Sequence, residues 1–471
     1  MRVAVLAPVL ACALGSLLPP LAAVASPLPA GFPTPYPDDP RCGRFGWDRR
    51  ERMPRIPVAW PQVRDTSPRG DSTEAAETLA RTLASDLDLT GVFQVNDETA
   101  VPRGPWLWDS DTAFDWIGWR EAGAWMVLTA EVSPAKGGTV RARIDCRLTE
   151  EADSLVLGAA EAVVTPDRVV TFAHRYVNAL LKCVTGVPGA FGTRIAYARR
   201  PAAGQPKEIW LVEFGSREQF QWSRDGVIAM LPAWAPGGAV AWTGYRSGDP
   251  DVYLSPCGAC RASVPGGGPG ILSARQGLDS GIAFSPDGTF AALTLVTDGN
   301  PDVWLIDGRT GEEVARLTDS PAIDTSPCWS PDGRRIAFVS DRDGGPQVWV
   351  MESDGRDQRA LPLPGSYNTS PDWSPDGAEI AYQARGEGSP FSIWTVEVAT
   401  GSLRRLTAGP WEDEEPSWSP DGRLIAFTSN RRGGHKLLYV IARDGTGAKA
   451  LFTGGGDYYT PAWERTFAPP G

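Results

Sequence analysis

The chain has 471 residues, a hydrophobic fraction of 42% and a formal net charge of −12. That length predicts roughly two to four domains, and that hydrophobic fraction is globular rather than disordered. The acidic balance, 57 Asp and Glu against 45 Lys and Arg with no basic stripe, argues against nucleic acid as a partner.

Residues 1–25 read as a secretory signal peptide. Arg2 supplies the charge, Val3 to Ala25 is uncharged, and Ala23-Val24-Ala25 is an Ala-x-Ala cleavage site before Ser26. An uncleaved anchor is the alternative for so long an apolar run, although Pro19-Pro20 breaks its helix. Lipidation of Cys12, after Val9-Leu10-Ala11, is another. Each reading implies export. Residues 26–52 form a Pro-rich N-terminal arm containing Cys42, an extended tether or a partner-binding segment.

Residues 53–187 have the rhythm of a mixed α/β domain. Ile56 to Trp60 is a strand. Asp71, with Glu74 three residues on, makes a capping-box-like helix start. Ala76, Leu79, Leu83 and Leu87 mark that helix's buried face, and Gly91 stops it. A short helix around Trp116 and Trp119 precedes an apolar strand from Ala124 to Val132. Val140, Ala142, Ile144, Cys146 and Leu148 alternate with Arg141, Arg143, Asp145 and Arg147, so that strand buries one face. Leu155 to Val164 is a further strand. Thr165-Pro166 opens a helix with Phe172, Tyr176, Leu180 and Cys183 on one side and Gly186 at its end. Val187 to Thr193 is a link.

Beyond the link one phrase recurs. Trp329-Ser330-Pro331-Asp332-Gly333 returns at Trp373 to Gly377 and at Trp418 to Gly422. Looser copies stand at Trp234 to Gly238 and Phe284 to Gly288, and Pro461-Ala462-Trp463 is truncated. The spacing of 44 to 50 residues is that of propeller blades. Ser-Pro-Asp-Gly suits a type I turn between two strands. After Gly333 the runs Ile336 to Val339, Val348 to Met351 and Arg359 to Leu361 complete four strands. Arg194 to Tyr197, Glu208 to Val212 and Phe220 to Trp222 lack a first strand, whereas Tyr459 to Trp463 is a first strand with no followers. Joined, the two ends make a sixth blade and leave no sheet edge. The predicted fold is therefore mainly β with a smaller α/β domain: a six-bladed β-propeller over residues 194–465 following an N-terminal mixed α/β domain.

The mature chain holds six cysteines. Cys146 and Cys183 face the same core and either pair or stay as buried thiols. Cys257-Gly258-Ala259-Cys260 reads as a local disulfide: zinc needs a second ligand pair, and a redox motif needs a helix where a Gly/Pro run follows. No Gly-x-Ser-x-Gly, His-Glu-x-x-His or phosphate-loop motif occurs. A Ser–His–Asp triad built on His174 or His435 stays open, but both have ordinary structural readings. The expectation is a protein without catalytic residues.

The segment from about Arg55 to Trp463 resembles the TolB family. Arg55-Ile56-Pro57-Val58-Ala59 is similar to the start of that family's small domain. Phe172-Ala173-His174-Arg175 and the stretch Thr185 to Tyr197 are similar to its last helix and its junction with the propeller. The resemblance implies a periplasmic, non-catalytic adaptor of the Tol–Pal cell-envelope system, monomeric, with a propeller that binds the lipoprotein Pal and an N-terminus that contacts TolA. Residues 26–52 are Pro-rich, unlike that family's short strand-forming N-terminus. A second reading is an exported propeller with another protein or glycan ligand, or a hydrolase accessory; neighbouring genes for Pal and TolA separate the two.

The expected docking face is the rim formed by links between blades: Ser320 to Ser326, Ser366 to Ser370, Pro410 to Glu415 and Gly454 to Thr460. These regions, with Asp279, supply Asp279, Asp324, Asn368, Trp411, Asp413, Glu414, Glu415, Tyr458 and Tyr459, read as exposed aromatics beside carboxylates. Matching loops of the TolB family face Pal. Asp279, Asp324, Asp413, Glu414 and Glu415 around one channel mouth also suit a hard cation such as Ca²⁺, although solvated loop charges are the plainer reading. The Ser-Pro-Asp-Gly turns and Ser340 to Gly344 are expected together at the opposite rim.

Overall fold

The computed structural model describes residues 55–97, 116–149, 155–216, 218–255, 270–275, 277–452 and 454–467; the expected signal segment, the Pro-rich arm, Cys12, Cys42, Cys257 and Cys260 lie outside the described residues. Strands β1 (Ile56–Val58), β2 (Gln62–Asp65), β3 (Phe93–Val95), β4 (Met126–Pro134), β5 (Val140–Leu148) and β6 (Leu155–Val164) form the small domain's mixed sheet in the order β3-β1-β4-β5-β6, with β2 also paired to β4. Helices α1 (Thr73–Leu89) and α3 (Val169–Thr185) supply much of the core beside it, and α2 (Trp116–Glu121) is short. The alternation in β5 holds for Val140 to Ile144, whose odd members Arg141 and Arg143 are exposed. Asp145 departs from it: it is buried and accepts the Thr129 hydroxyl at 2.7 Å. Helix α1 begins at Thr73, whose hydroxyl donates to Asp65, and Asp71 does not cap it. Left-handed Gly186 ends α3.

Cys146 is a free buried thiol, whereas Cys183 is disulfide-bonded, so these two do not pair. Sharing a core is too loose a criterion, because a disulfide needs Cβ atoms about 4 Å apart. Cys146 acts as a small apolar core group.

The propeller consists of six four-stranded antiparallel sheets. Each Ser-Pro-Asp-Gly turn closes locally. Ser330 Oγ donates to Asp332 at 2.6 Å and accepts the Arg335 N–H at 2.9 Å, while Gly333 takes φ 70°. The same Ser–Asp bond recurs at Ser285, Ser374 and Ser419. The ring closes as the ends of the chain predict. Strand Asp457–Trp463 is innermost in the sheet of Arg194–Arg200, Glu208–Glu213 and Gln219–Gln221, with Trp463 opposite Ile195 and Tyr459 opposite Ala198.

The small domain sits on the rim that carries the Ser-Pro-Asp-Gly turns. Arg423, just after one such turn, is buried and donates to the carbonyls of Val187 and Pro188 and to the Thr185 hydroxyl. Arg55 reaches Thr446, and Lys449 pairs with Asp88. At the same junction His174 of α3 lies 2.6 Å from Asp86 of α1 and stacks on Phe191. Burial raises the Asp86 pKa to about 6, against the stabilising hydrogen bond from His174. Gly215 of the first blade packs on the imidazole; a Cβ there would fall 2.6 Å from Cε1.

Candidate functional site: the link rim and the channel mouth

Every innermost strand slips register at the same place, between Met230 and Ala233 and at its five equivalents. One residue at each slip is left-handed: Leu231, Gly281, Ser326, Ser370, Glu415 and Thr460, with φ from 46° to 62°. Five are not glycine, and each of those five precedes a proline that stands two residues before the blade's Trp. Proline cannot donate to a ladder and so suits a bulge at these five strands, while the sixth bulges at Gly281 with Ile282 in the proline's place; each bulge turns the left-handed residue inward. The six bulges line a central cavity of about 270 Å³. Neighbouring blades satisfy the turned backbone. Gly281 N–H donates to Thr243, Ser326 to Thr294, Glu415 to Gln383 at 2.7 Å and Thr460 to the Glu415 carboxylate at 2.6 Å.

Most of the predicted partner residues are structural. Asp279, Asp324, Asn368 and Asp413 are at most 1% exposed. Asp324 is held by Arg342, Asp413 by both contacts of Arg431 at 2.8 Å, Asp279 by Ser273 and Arg275, and Asn368 donates to Gln347. Asp324 and Asp413 are committed within their own blades, and Asp279 to the last strand of the preceding blade and the link after it, rather than gathered at the mouth. Tyr458 is also fully buried, stacked on Phe452 with Tyr197 tilted against it, so the expected exposed aromatic is a core residue. Glu415 is drawn into the channel wall, where burial raises its pKa.

Trp411, Glu414 and Tyr459 remain at the rim, each half-buried. Arg431 lies 5.3 Å from the Trp411 ring, and Glu414 pairs with Lys436. Tyr459 is surrounded by cations that the sequence reading missed: Lys207 at 3.8 Å, Lys436 at 5.6 Å and Arg200 at 5.7 Å from the ring. Burial and repulsion from Arg200 and Lys436 lower the Lys207 pKa. These cations come from hairpins outside the links, and no local motif marks them. Ile323 of the Ser320 to Ser326 link also stands exposed.

The rim assignment is corrected at one turn. Asp341 accepts the Ile323 N–H at 2.8 Å and Arg342 binds Asp324, so Ser340 to Gly344 lies on the link rim. Successive turns of an antiparallel meander alternate between rims, which puts the second turn beside the inter-blade link.

The family model described as the TolB beta propeller domain matches residues 181–467, well over half of the chain, and the TolB amino-terminal domain model matches residues 50–150. The chain belongs to the TolB family. The Tol-Pal system protein TolB of Desulfosudis oleivorans is 33% identical over 268 residues, covering 56% of this chain and 58% of that relative. The protein of the same name from Anaeromyxobacter dehalogenans is 36% identical over 262 residues, 54% and 56% of the two chains. The matched stretches thus span little more than half the length of these relatives. The crystal structure of TolB from Acinetobacter baumannii superposes with a TM-score of 0.74 over 88% of this chain and 97% of that one, at 24% identity, and so shares the fold.

Proposed function

We propose that this TolB-family chain is a non-catalytic periplasmic adaptor of the Tol–Pal system, whose link rim binds the lipoprotein Pal and thereby supports outer-membrane integrity and cell division. The observation that carries this reading is the asymmetry of the propeller. The small domain occupies the rim of Ser-Pro-Asp-Gly turns through Arg423, Arg55 and Lys449, and the link rim lies on the far side. Among the described residues the small domain leaves that rim uncovered, and it presents Trp411 and Tyr459 among charged neighbours, the composition of an interface anchor. The names of the relatives support a Tol–Pal role.

An adaptor rather than an enzyme is supported by the histidines. His174 is 3% exposed and locked between Asp86, Phe191 and Gly215; His435 sits on an exposed turn, paired with Asp457. Export is supported by residues 1–25; among the described residues no helix is long and apolar enough to cross a membrane. A contact with TolA would fall to the arm of residues 26–52.

The test is capture of Pal by the immobilised mature chain from envelope extract, with purified Pal for affinity. Trp411→Ala combined with Tyr459→Ala is expected to weaken binding by about 100-fold or more, with a nearly unchanged melting temperature. Wild-type affinity in that variant would place the binding face elsewhere. No capture by the wild-type chain would remove Pal as the partner.

A further inference from the structure

The chain does not stop at its closing strand. In five blades the aromatic that ends the innermost strand, Trp in four and Phe284 in the other, leads into a turn and a second strand of the same sheet. In the closing blade Trp463 is followed by free chain. Glu464 is tied to Arg194 by an ion pair, and its N–H donates to the Arg194 carbonyl at 2.8 Å. Beyond that point the backbone leaves its own blade and runs below the channel.

The channel floor beneath it has two halves. The residue before the aromatic that ends each innermost strand forms a ring: Cys328, Asp372 and Ser417 on one side, Ala462, Ala233 and Ala283 on the other. On the polar side each group accepts the N–H of the next blade's Trp: Trp373 donates to Cys328 Sγ, Trp418 to Asp372 at 2.6 Å, and Trp463 to Ser417 at 2.9 Å. Arg465 reaches across from the closing blade to this side. Its guanidinium pairs with the second oxygen of Asp372 and lies 3.6 Å from Cys328 Sγ. Thr466 points outward, and Phe467 packs into the apolar clusters of the first three blades, next to Ala233. The tail thus carries a cation over the polar half of the floor and an aromatic over the alanine half. The Arg465 side chain is 39% exposed, so it is only partly desolvated; the loss of water works against its charge, but Asp372 more than restores it and the Arg465 pKa is raised. Burial pushes the Cys328 thiol up to about 11.

We propose that Arg465 to Phe467 form a strap that seals the channel at the end bearing the Ser-Pro-Asp-Gly turns, making it a blind well entered from the link rim alone. The strap also ties the closing strand to blades on the opposite side of the ring, so ring closure and floor closure are one structural event. Without Arg465, the buried Asp372 carboxylate keeps only the Trp418 N–H and the long 3.6 Å contact from Cys328 Sγ, and Cys328 loses its cover. Nothing in this proposal depends on which partner occupies the well.

Cys328 is the reporter, with the free thiol of Cys146, buried in the small domain, as internal control. The mature chain and the double variant Arg465→Ala, Phe467→Ala are treated with a small maleimide under native conditions, and modification of each cysteine is followed by peptide mass spectrometry. Cys328 is expected to be modified at least about tenfold faster in the variant while Cys146 stays protected, because local opening exposes only the groups beneath the strap. Equal Cys328 rates in the two proteins would overturn the strap. Parallel exposure of Cys146 and Cys328 would overturn it too, since the tail would then merely hold the whole fold together. If the double variant does not fold, Arg465→Ala alone, which uncovers Cys328 and leaves Phe467 in place, carries the test. A rise confined to Cys328 supports the strap, and no rise refutes it.

Discussion

Replacing Trp463 measures how much the ring depends on its last strand. The side chain is 1% exposed. Its indole N–H donates to Thr193 Oγ1 at 2.8 Å, and its ring lies 4.9 Å from that of Phe214. Two substitutions divide these contributions. Trp463→Phe keeps an aromatic ring in the core and loses the indole donor; Thr193 retains its own bond to the Ala190 carbonyl, so the cost is about 1–2 kcal/mol. Trp463→Ala also empties the site between the closing blade and its neighbours, for about 3–5 kcal/mol. Truncation after Gly454 removes the entire strand and is expected to open the ring. Urea unfolding of the mature chain, followed by far-ultraviolet circular dichroism, gives the midpoints and slopes. A loss below about 1 kcal/mol for Trp463→Ala, or a truncated chain with the wild-type midpoint, would refute the closed sheet.

Two more outcomes follow from buried charges. Asp376 is desolvated, yet Ser374 and the buried Arg443 hold its carboxyl at about 2. Because the folded value lies below the unfolded one, the pair's stabilisation is complete above about pH 4 and disappears as pH falls towards 2, an effect of at most about 2 kcal/mol. Asp376→Asn should flatten that acid limb, and an unchanged pH–stability slope between pH values of about 2 and 5 would count against the pair. Glu415 has the opposite sign, since burial raises its pKa and its charge therefore costs stability at neutral pH. Glu415→Gln, which keeps an acceptor for the Thr460 N–H, should match or exceed wild type at neutral pH, with the difference shrinking in acid. Glu415→Arg should lower the melting temperature by several degrees, because it strips that N–H of its acceptor inside the wall; a melting temperature like that of wild type would put Glu415 on the surface after all.

The repeat and its turn were legible because their physics is local. Ser330, Asp332 and Gly333 bond and bend within one five-residue phrase, so any copy of the phrase makes the same turn. The blade count was legible for a related reason: an orphan first strand and a sheet lacking one must pair, or leave edges exposed. The Pro two residues before each Trp was also visible, although only the register shows that it forces a left-handed residue into the channel wall. The site was less legible. Asp324 and Asp413 look like loop acids, and their partners Arg342 and Arg431 stand 18 residues away on the next hairpin turn. Tyr459 gained its cationic surround from two hairpins, one carrying Arg200 and Lys207 and the other Lys436. The sequence determined the strands, the turns and the order of blades, which depend on neighbours in the chain. Which charges face solvent, and which rim the small domain covers, was decided by strand register and by where that domain packs, because burial is set by groups distant in sequence that only the closed ring brings together.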